Sequence, residues 1–230
     1  MKNLRALLLA LSLGLIPAFA WAAGWLPLAK APAFSLTFGQ ENQAASGTTV
    51  NYGILTYGSG CTRVVSGNVL YSTGISSETV NGSSLGAVSG AFVITGSFAG
   101  DIWMSSAAVA GSSGNVSVTY AGAIGFNSST AVYCLITATP SPGTAVHNIA
   151  SGTSVAISVT IPAGGGALVI SGSSNGNAIT GITNAAIDKT DVTNGINQTY
   201  AHTTATGTIT VTASYASTDA IFISVVPWGP

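Results

Sequence analysis

The chain has 230 residues, of which only five are Lys or Arg and six are Asp or Glu, for a formal net charge of −1. An ordinary soluble domain carries about a quarter of its residues as charged side chains, so here Ser, Thr, Asn, Gly and Ala must face the solvent, and few groups remain for acid–base or metal chemistry. The basic residues are too few and too scattered to hold a phosphate backbone, which excludes nucleic acid as a partner.

The N-terminus reads as an export signal: Lys2 and Arg5, the apolar stretch Ala6 to Ile16, then Pro17 and small residues before cleavage after Ala22 or Ala20. Removal of residues 1–22 leaves three bases against six acids, a net charge of −3. The competing reading is an uncleaved anchor, since no charge interrupts Ala6 to Ala29 and a run of about 20 residues can span a bilayer. Pro17, Gly24 and Pro27 weaken that run as a helix. This leader is the one membrane-like segment. Residues 23–32 form a short N-terminal segment, and 33–230 are expected to form a single domain.

From Phe34 onward the apolar residues recur with a period of two, the mark of strands with one face in a core. Candidate strands run over Ala33 to Phe38, Thr48 to Tyr57, Thr62 to Tyr71, Ala91 to Phe98 and Asp101 to Val109. Val116, Val118 and Tyr120 then alternate with Ser117 and Thr119. Ala131 to Ala138 is apolar on both faces, as a central strand would be. In Thr153 to Ile161 the inward set is Val155, Ile157, Val159 and Ile161. In Thr208 to Tyr215 the inward set is Ile209, Val211, Ala213 and Tyr215, with Thr208, Thr210, Thr212 and Ser214 on the wet face. Asp219 to Val226 is again two-sided.

Clusters such as Asn81-Gly82, Gly111 to Gly114, Gly164 to Gly166 and Ser174 to Asn177 supply the positive φ angles of turns. No stretch has a helical period. The expectation is an all-β fold, an antiparallel two-sheet sandwich or jelly roll of about a dozen short strands. A division into two modules near Thr139-Pro140-Ser141-Pro142-Gly143 is the alternative.

Cys61 and Cys134 are expected to pair, because an exported chain with an even cysteine count favours a disulfide. They carry no CxxC motif and are not read as catalytic or metal-binding.

The chemistry-bearing residues form no diagnostic motif. His147 and His202 could serve as bases with Asp101, Asp188 or Asp219 as orienting acids, but no Gly-x-Ser-x-Gly elbow raises a serine. Glu41, Glu78 and Asp101 could supply the two carboxylates of a glycosidase, though their spacing does not select them. The segment Asn184 to Gly195 gathers oxygen ligands in Asp188, Asp191 and Asn194 that calcium would accept. It lacks the EF-hand spacing and contains Lys189, so it reads as a polar Asx-rich loop without metal. Trp103 and Trp228 are candidate ligand platforms, although aromatics in β proteins more often seal the core. No catalytic residue, cofactor or metal is assigned.

An all-β domain must protect its strand edges, and charge is a common device. The candidate strands after Arg63 contain no basic residue, so the edges are expected to be covered by loops, closed within the fold, or paired with another subunit.

The succession Thr62 to Val65, Ile75 to Gly82, Asp101 to Trp103, Gly114 to Thr119, Ala131 to Leu135, Ile161 to Gly166 and Thr206 to Thr212 resembles uncharacterised β-sandwich proteins of bacterial prophages and phage structural gene clusters. The likeness spans roughly residues 45 to 226 and consists of strand and turn patterns. It implies a virion-associated or surface-exposed structural role with no enzymatic residues to carry over. The leader and the two cysteines depart from that group and favour a bacterial protein that reuses the fold outside the cell. The sequence therefore points to a non-enzymatic, exported structural or adhesive protein that self-associates or joins a larger surface or virion assembly. The alternatives are a carbohydrate-binding module, with a glycan as partner, and a hydrolase of undetected type.

Overall fold

The computed structural model describes residues 33–230 apart from 45, 72–73, 97, 125–127 and 194; the leader lies outside the described residues. Fifteen strands follow in chain order: β1 (Ser35–Ala44), β2 (Gly47–Thr56), β3 (Arg63–Leu70), β4 (Ile75–Val80), β5 (Ser83–Ala87), β6 (Val93–Thr95), β7 (Phe98–Ser105), β8 (Ser113–Ile124), β9 (Ser128–Ile136), β10 (Val146–Ile161), β11 (Gly166–Ser173), β12 (Ile179–Thr183), β13 (Ala186–Thr193), β14 (Ile196–Thr203) and β15 (Gly207–Trp228). There is no helix among the described residues. The expected all-β, antiparallel, two-sheet class is the observed one.

The first sheet takes all strands before residue 137 in the order β1-β9-β3-β7-β5-β4-β8-β2, with β6 beside β7. It curls until its two ends meet. Asn42 Nδ2 on β1 donates to the Tyr52 carbonyl on β2, at 2.7 Å, and the Thr56 amide donates to Gln40 Oε1, at 3.2 Å. Gly39 makes the seam passable, since a Cβ there would lie 2.2 Å from the Thr56 carbonyl oxygen. The sheet is therefore a nearly closed barrel whose last gap is bridged by side chains. The β4–β5 hairpin turns on Asn81 and Gly82, both at positive φ (52° and 77°), as the Asn-Gly pair predicts.

Alternation along the barrel strands makes two cores. Val64, Leu70, Ala99, Trp103, Val116, Val118, Tyr120, Val132 and Cys134 fill the interior. Their neighbours Val65, Val69, Ile102, Ala131, Tyr133 and Leu135 face outward and pack on Leu168, Ile170, Tyr200, Phe222 and Val226 of the second sheet. This explains why β9 is apolar on both faces. Gly100 admits the close approach, because a Cβ there would meet the Phe222 ring at 2.4 Å.

The second sheet, β10-β15-β11-β14-β13 with β12 on β15, begins just after the Thr139 to Gly143 segment. That segment separates two sheets, yet residues from Pro32 to Pro230 form one compact unit because both sheets contribute to the core between them. Between Gly152 and Ser154 the β10 register on β15 jumps from Asp219 to Ser214, and the sheet folds over. Asn148 Nδ2 reaches the Ala156 carbonyl at 2.8 Å, although eight extended residues span about 26 Å. The folded-over limb, Ser154–Ile161 with Gly207–Tyr215 and β12, closes a third core of Val155, Val159, Ile161, Val169, Ala201, Val211, Ala213, Tyr215 and Ile223. Its outer surface carries the hydroxyls that the alternation assigned there. Ser158 meets Thr210 at 3.2 Å, and Thr160 meets Thr208 at 3.0 Å.

The segment around Asp188 departs from expectation. It is not a loop but β13, an outer strand of the second sheet, held by pairing with β14 despite its polar composition. Lys189 thus does place a basic residue on a strand edge.

Candidate functional site

Fourteen residues separate Asp188 from His202, but β13 and β14 are antiparallel neighbours and bring them together. His202 Nδ1 donates to Asp188 Oδ1 and Oδ2 at 2.7 and 2.9 Å. Tyr133, on the barrel strand β9, donates its hydroxyl to Asp188 Oδ2 at 2.9 Å. Its ring meets Phe38 edge-on at 5.5 Å. The hydrogen bond to Asp188 raises the His202 pKa above its usual value, against partial burial that lowers it. A carboxylate holding Nδ1 presents the far side of the ring to other chemistry, the orienting half of a base-catalysed site. The imidazole borders an open depression lined by Asn184, Ala186, Thr203 and Thr204. Among the described residues no hydroxyl bonds to the imidazole, so the arrangement has a base and an orienter without a bonded nucleophile.

Glu78 and Asp101 meet the electrostatic requirement of a carboxylate pair and fail the steric one. Both point into the barrel, where burial raises Glu78 to about 7 and Asp101 to about 6, with the Asp101 charge adding to the Glu78 shift. Asn68 ties the lining together. Its Nδ2 donates to Glu78 Oε2 at 3.0 Å, and its Oδ1 accepts from Thr130 at 2.6 Å. Asp101 accepts from the Trp103 indole at 2.7 Å and the Ile102 amide at 2.9 Å. Deeper in, the hydroxyls of Tyr52, Tyr120 and Ser128 bond mutually. With Glu78 1% exposed and Asp101 4% exposed, no sugar reaches them. Glu41 lies apart on β1, its pKa lifted to about 7 by burial, opposed by Lys189 and reinforced by Asp191.

The tryptophans occupy core positions. Trp103 lines the barrel interior and Trp228 lies wholly within the inter-sheet core, so neither offers a face to a ligand. In the calcium candidate, Asp188 is engaged by His202 and Tyr133, Asp191 pairs with Lys189 at 3.3 Å, and Asn194 lies outside the described residues. No three His, Cys, Asp or Glu side chains converge among the described residues. Asp219 knots a turn. Burial would raise its pKa, but bonds from Ser174, the Asn175 amide and the Ala220 amide outweigh that and hold it low. His147 Nδ1 lies 3.0 Å from the Gly90 carbonyl.

Cys61 and Cys134 are bridged, with Cα atoms 5.1 Å apart. The disulfide joins the chain entering β3 to β9, and such a bridge suits an oxidising compartment.

Two surface features escaped the sequence reading. Asn148 and Asn184 cap opposite sides of the folded-over limb, through Ala156 and Thr210 respectively. The long outer strands of the second sheet also differ in charge: β13 carries Asp188, Lys189 and Asp191, and β10 carries no Asp, Glu, Lys or Arg; the short outer strand β12 is likewise uncharged. No family model matches the chain, and no curated protein or solved structure matches it either.

Proposed function

We propose that the chain is a non-enzymatic, exported structural or adhesive protein that works as a subunit of a larger surface assembly, such as a cell coat or a virion exterior. The observation that carries this reading is the placement of charge. Glu78 and Asp101 are buried in the barrel, Asp188, Lys189 and Asp191 gather on β13, and the folded-over limb presents only hydroxyl, methyl and backbone groups over both its long strands. Absence of like charge removes the usual barrier to contact between copies. The disulfide and the leader fit export. Native mass spectrometry of material from its natural source tests the reading. The expected species lacks residues 1–22, is lighter by the two hydrogens of the bridge, and is oligomeric. A reduced, unprocessed monomer overturns it.

A second reading, hydrolysis, rests on the Asp188–His202 pair. It requires turnover of ester or peptide substrates that disappears in His202→Ala while the circular dichroism spectrum is kept.

A further inference from the structure

β15 has neighbours on both sides along the folded-over limb, and β10 has one. Two side-chain bonds fix which way the peptide groups face. The Thr212 amide donates to Thr183 Oγ1 at 3.0 Å, and the Thr210 carbonyl accepts from Asn184 at 2.8 Å. Thr210 and Thr212 therefore turn their peptide groups away from β10. Opposed residues of an antiparallel ladder either both exchange bonds or both face outward, so their partners Ser158 and Ala156 face the outer side of β10. Asn148, which donates to the Ala156 carbonyl, reaches it from that side. Thr160, two residues on from Ser158, faces the same way. Among the described residues no strand pairs with this edge.

We propose that residues 154–161 of β10 pair antiparallel with the same residues of a second copy, across a two-fold axis through Ser158, with the exposed Asn148 side chain swinging off the Ala156 carbonyl to admit the partner strand's amide. This inference rests on the assembly reading and names its contact. Four features select another β10 as the occupant. The edge needs a backbone ladder, which a strand supplies. With Ser158 opposite Ser158, Thr160 opposes Ala156, so hydroxyl faces join hydroxyl faces and Ile157 meets the partner's Val159 on the apolar side. Ile157 is only partly buried at the rim of the third core, and the second strand covers it. Pro162 has no N–H to donate and ends the ladder just beyond Ile161. At the far side of the sheet, β13 carries charge and a register shift between Ile187 and Lys189, both devices that discourage strand addition.

Cysteine scanning tests the register. Directly opposed residues in a hydrogen-bonded antiparallel pair have Cα atoms about 5.5 Å apart, within the span of a disulfide. The native cysteines are already joined, so Ser158→Cys adds the one free thiol. Oxidised glutathione should convert Ser158→Cys to a covalent dimer on a non-reducing gel. Thr160→Cys, whose two copies stand four residues apart along the ladder, about 13 Å, should remain unlinked. Ser158→Lys, which sets two ammonium groups face to face, should shift wild-type dimer to monomer in sedimentation velocity. Equal linkage of both cysteine variants overturns the proposal, as does a dimer that survives Ser158→Lys. If the wild type associates while Ser158→Cys stays unlinked, the β10 contact fails and the assembly reading stands. If the wild type is monomeric as well, both fail.

Discussion

The two sheets solve the problem of exposed strand edges in opposite ways. The first closes on itself, so that Asn42 and Gln40 finish what the ladder leaves open, and the enclosed space is polar enough to hold Glu78, Asp101 and Asn68. The second stays open and folds over, which buries a third apolar core and leaves three outer strands: β13, which is charged, and β10 and the short β12, which are neutral. Closure lets a barrel keep its few charges inside, where they serve no contact. An open sheet must either charge its edge or give it to a partner.

If the barrel depends on closure, cross-linking it should matter most. Replacing both Cys61 and Cys134 by Ser removes a bridge across 73 residues of sequence and should destabilise the fold by about 4 kcal/mol in the chain-entropy account, read as a lower denaturant midpoint. The same substitutions should leave association through the second sheet unchanged in whatever fraction remains folded.

The buried carboxylates should tune the barrel with pH. Folded Glu78 holds its proton up to about 7, whereas the unfolded chain releases it near the ordinary value, so stability is full at low pH and falls as pH rises from about 4.5 to about 7. Asp101, raised to about 6, acts in the same direction, and so does His202, whose bond to Asp188 loses its charge assistance as pH rises through its elevated value. Glu78→Gln should flatten much of this slope and stabilise the protein at pH 8 by up to about 3 kcal/mol, measured by urea unfolding across pH. An unchanged slope would mean that the barrel interior is wetter than its burial implies.

On the open sheet the effects are smaller. Asn148→Ala removes the bond to Ala156 and should lower stability by about 1 kcal/mol while leaving the Ala156 carbonyl more available to a partner strand. Lys189→Ala breaks a half-exposed ion pair with Asp191 and should change stability by less than about 1 kcal/mol. Removing Lys189 and Asp191 together, which leaves β13 only the Asp188 carboxylate held by His202, should allow new association through β13, detected as a rise in sedimentation coefficient that Ser158→Lys does not reverse. That outcome would establish charge as the feature separating the two edges.

Much of the strand content was legible because burial on one face imposes alternation: the splits within 116–120, 153–161 and 208–215 all appear with the expected inward sets. β4, β5, β12 and β13 were not legible, since their few strand-favouring Ile, Val and Thr residues are interrupted by Ser, Gly or Asp without clean alternation, and ladder pairing holds them extended. β11 and β14 were also missed, being short runs flanked by turn residues with no clean alternation. At the candidate site, His202 and Asp188 could be named as base and acid but not joined. Nothing local says that a polar segment will form a hairpin with β14.

By itself the sequence determined the class of the fold, its turns, the cysteine pair and the poverty of charge, because periodicity, positive φ and composition act locally. Only the tertiary structure decided which sheet closed, which carboxylates went inside, and that Asp188, Lys189 and Asp191 would line β13 and leave β10 bare. Those outcomes depend on strand order, a long-range choice in which Val64 must find Cys134 and Ser158 must find Thr210 before any edge exists to be charged or left open.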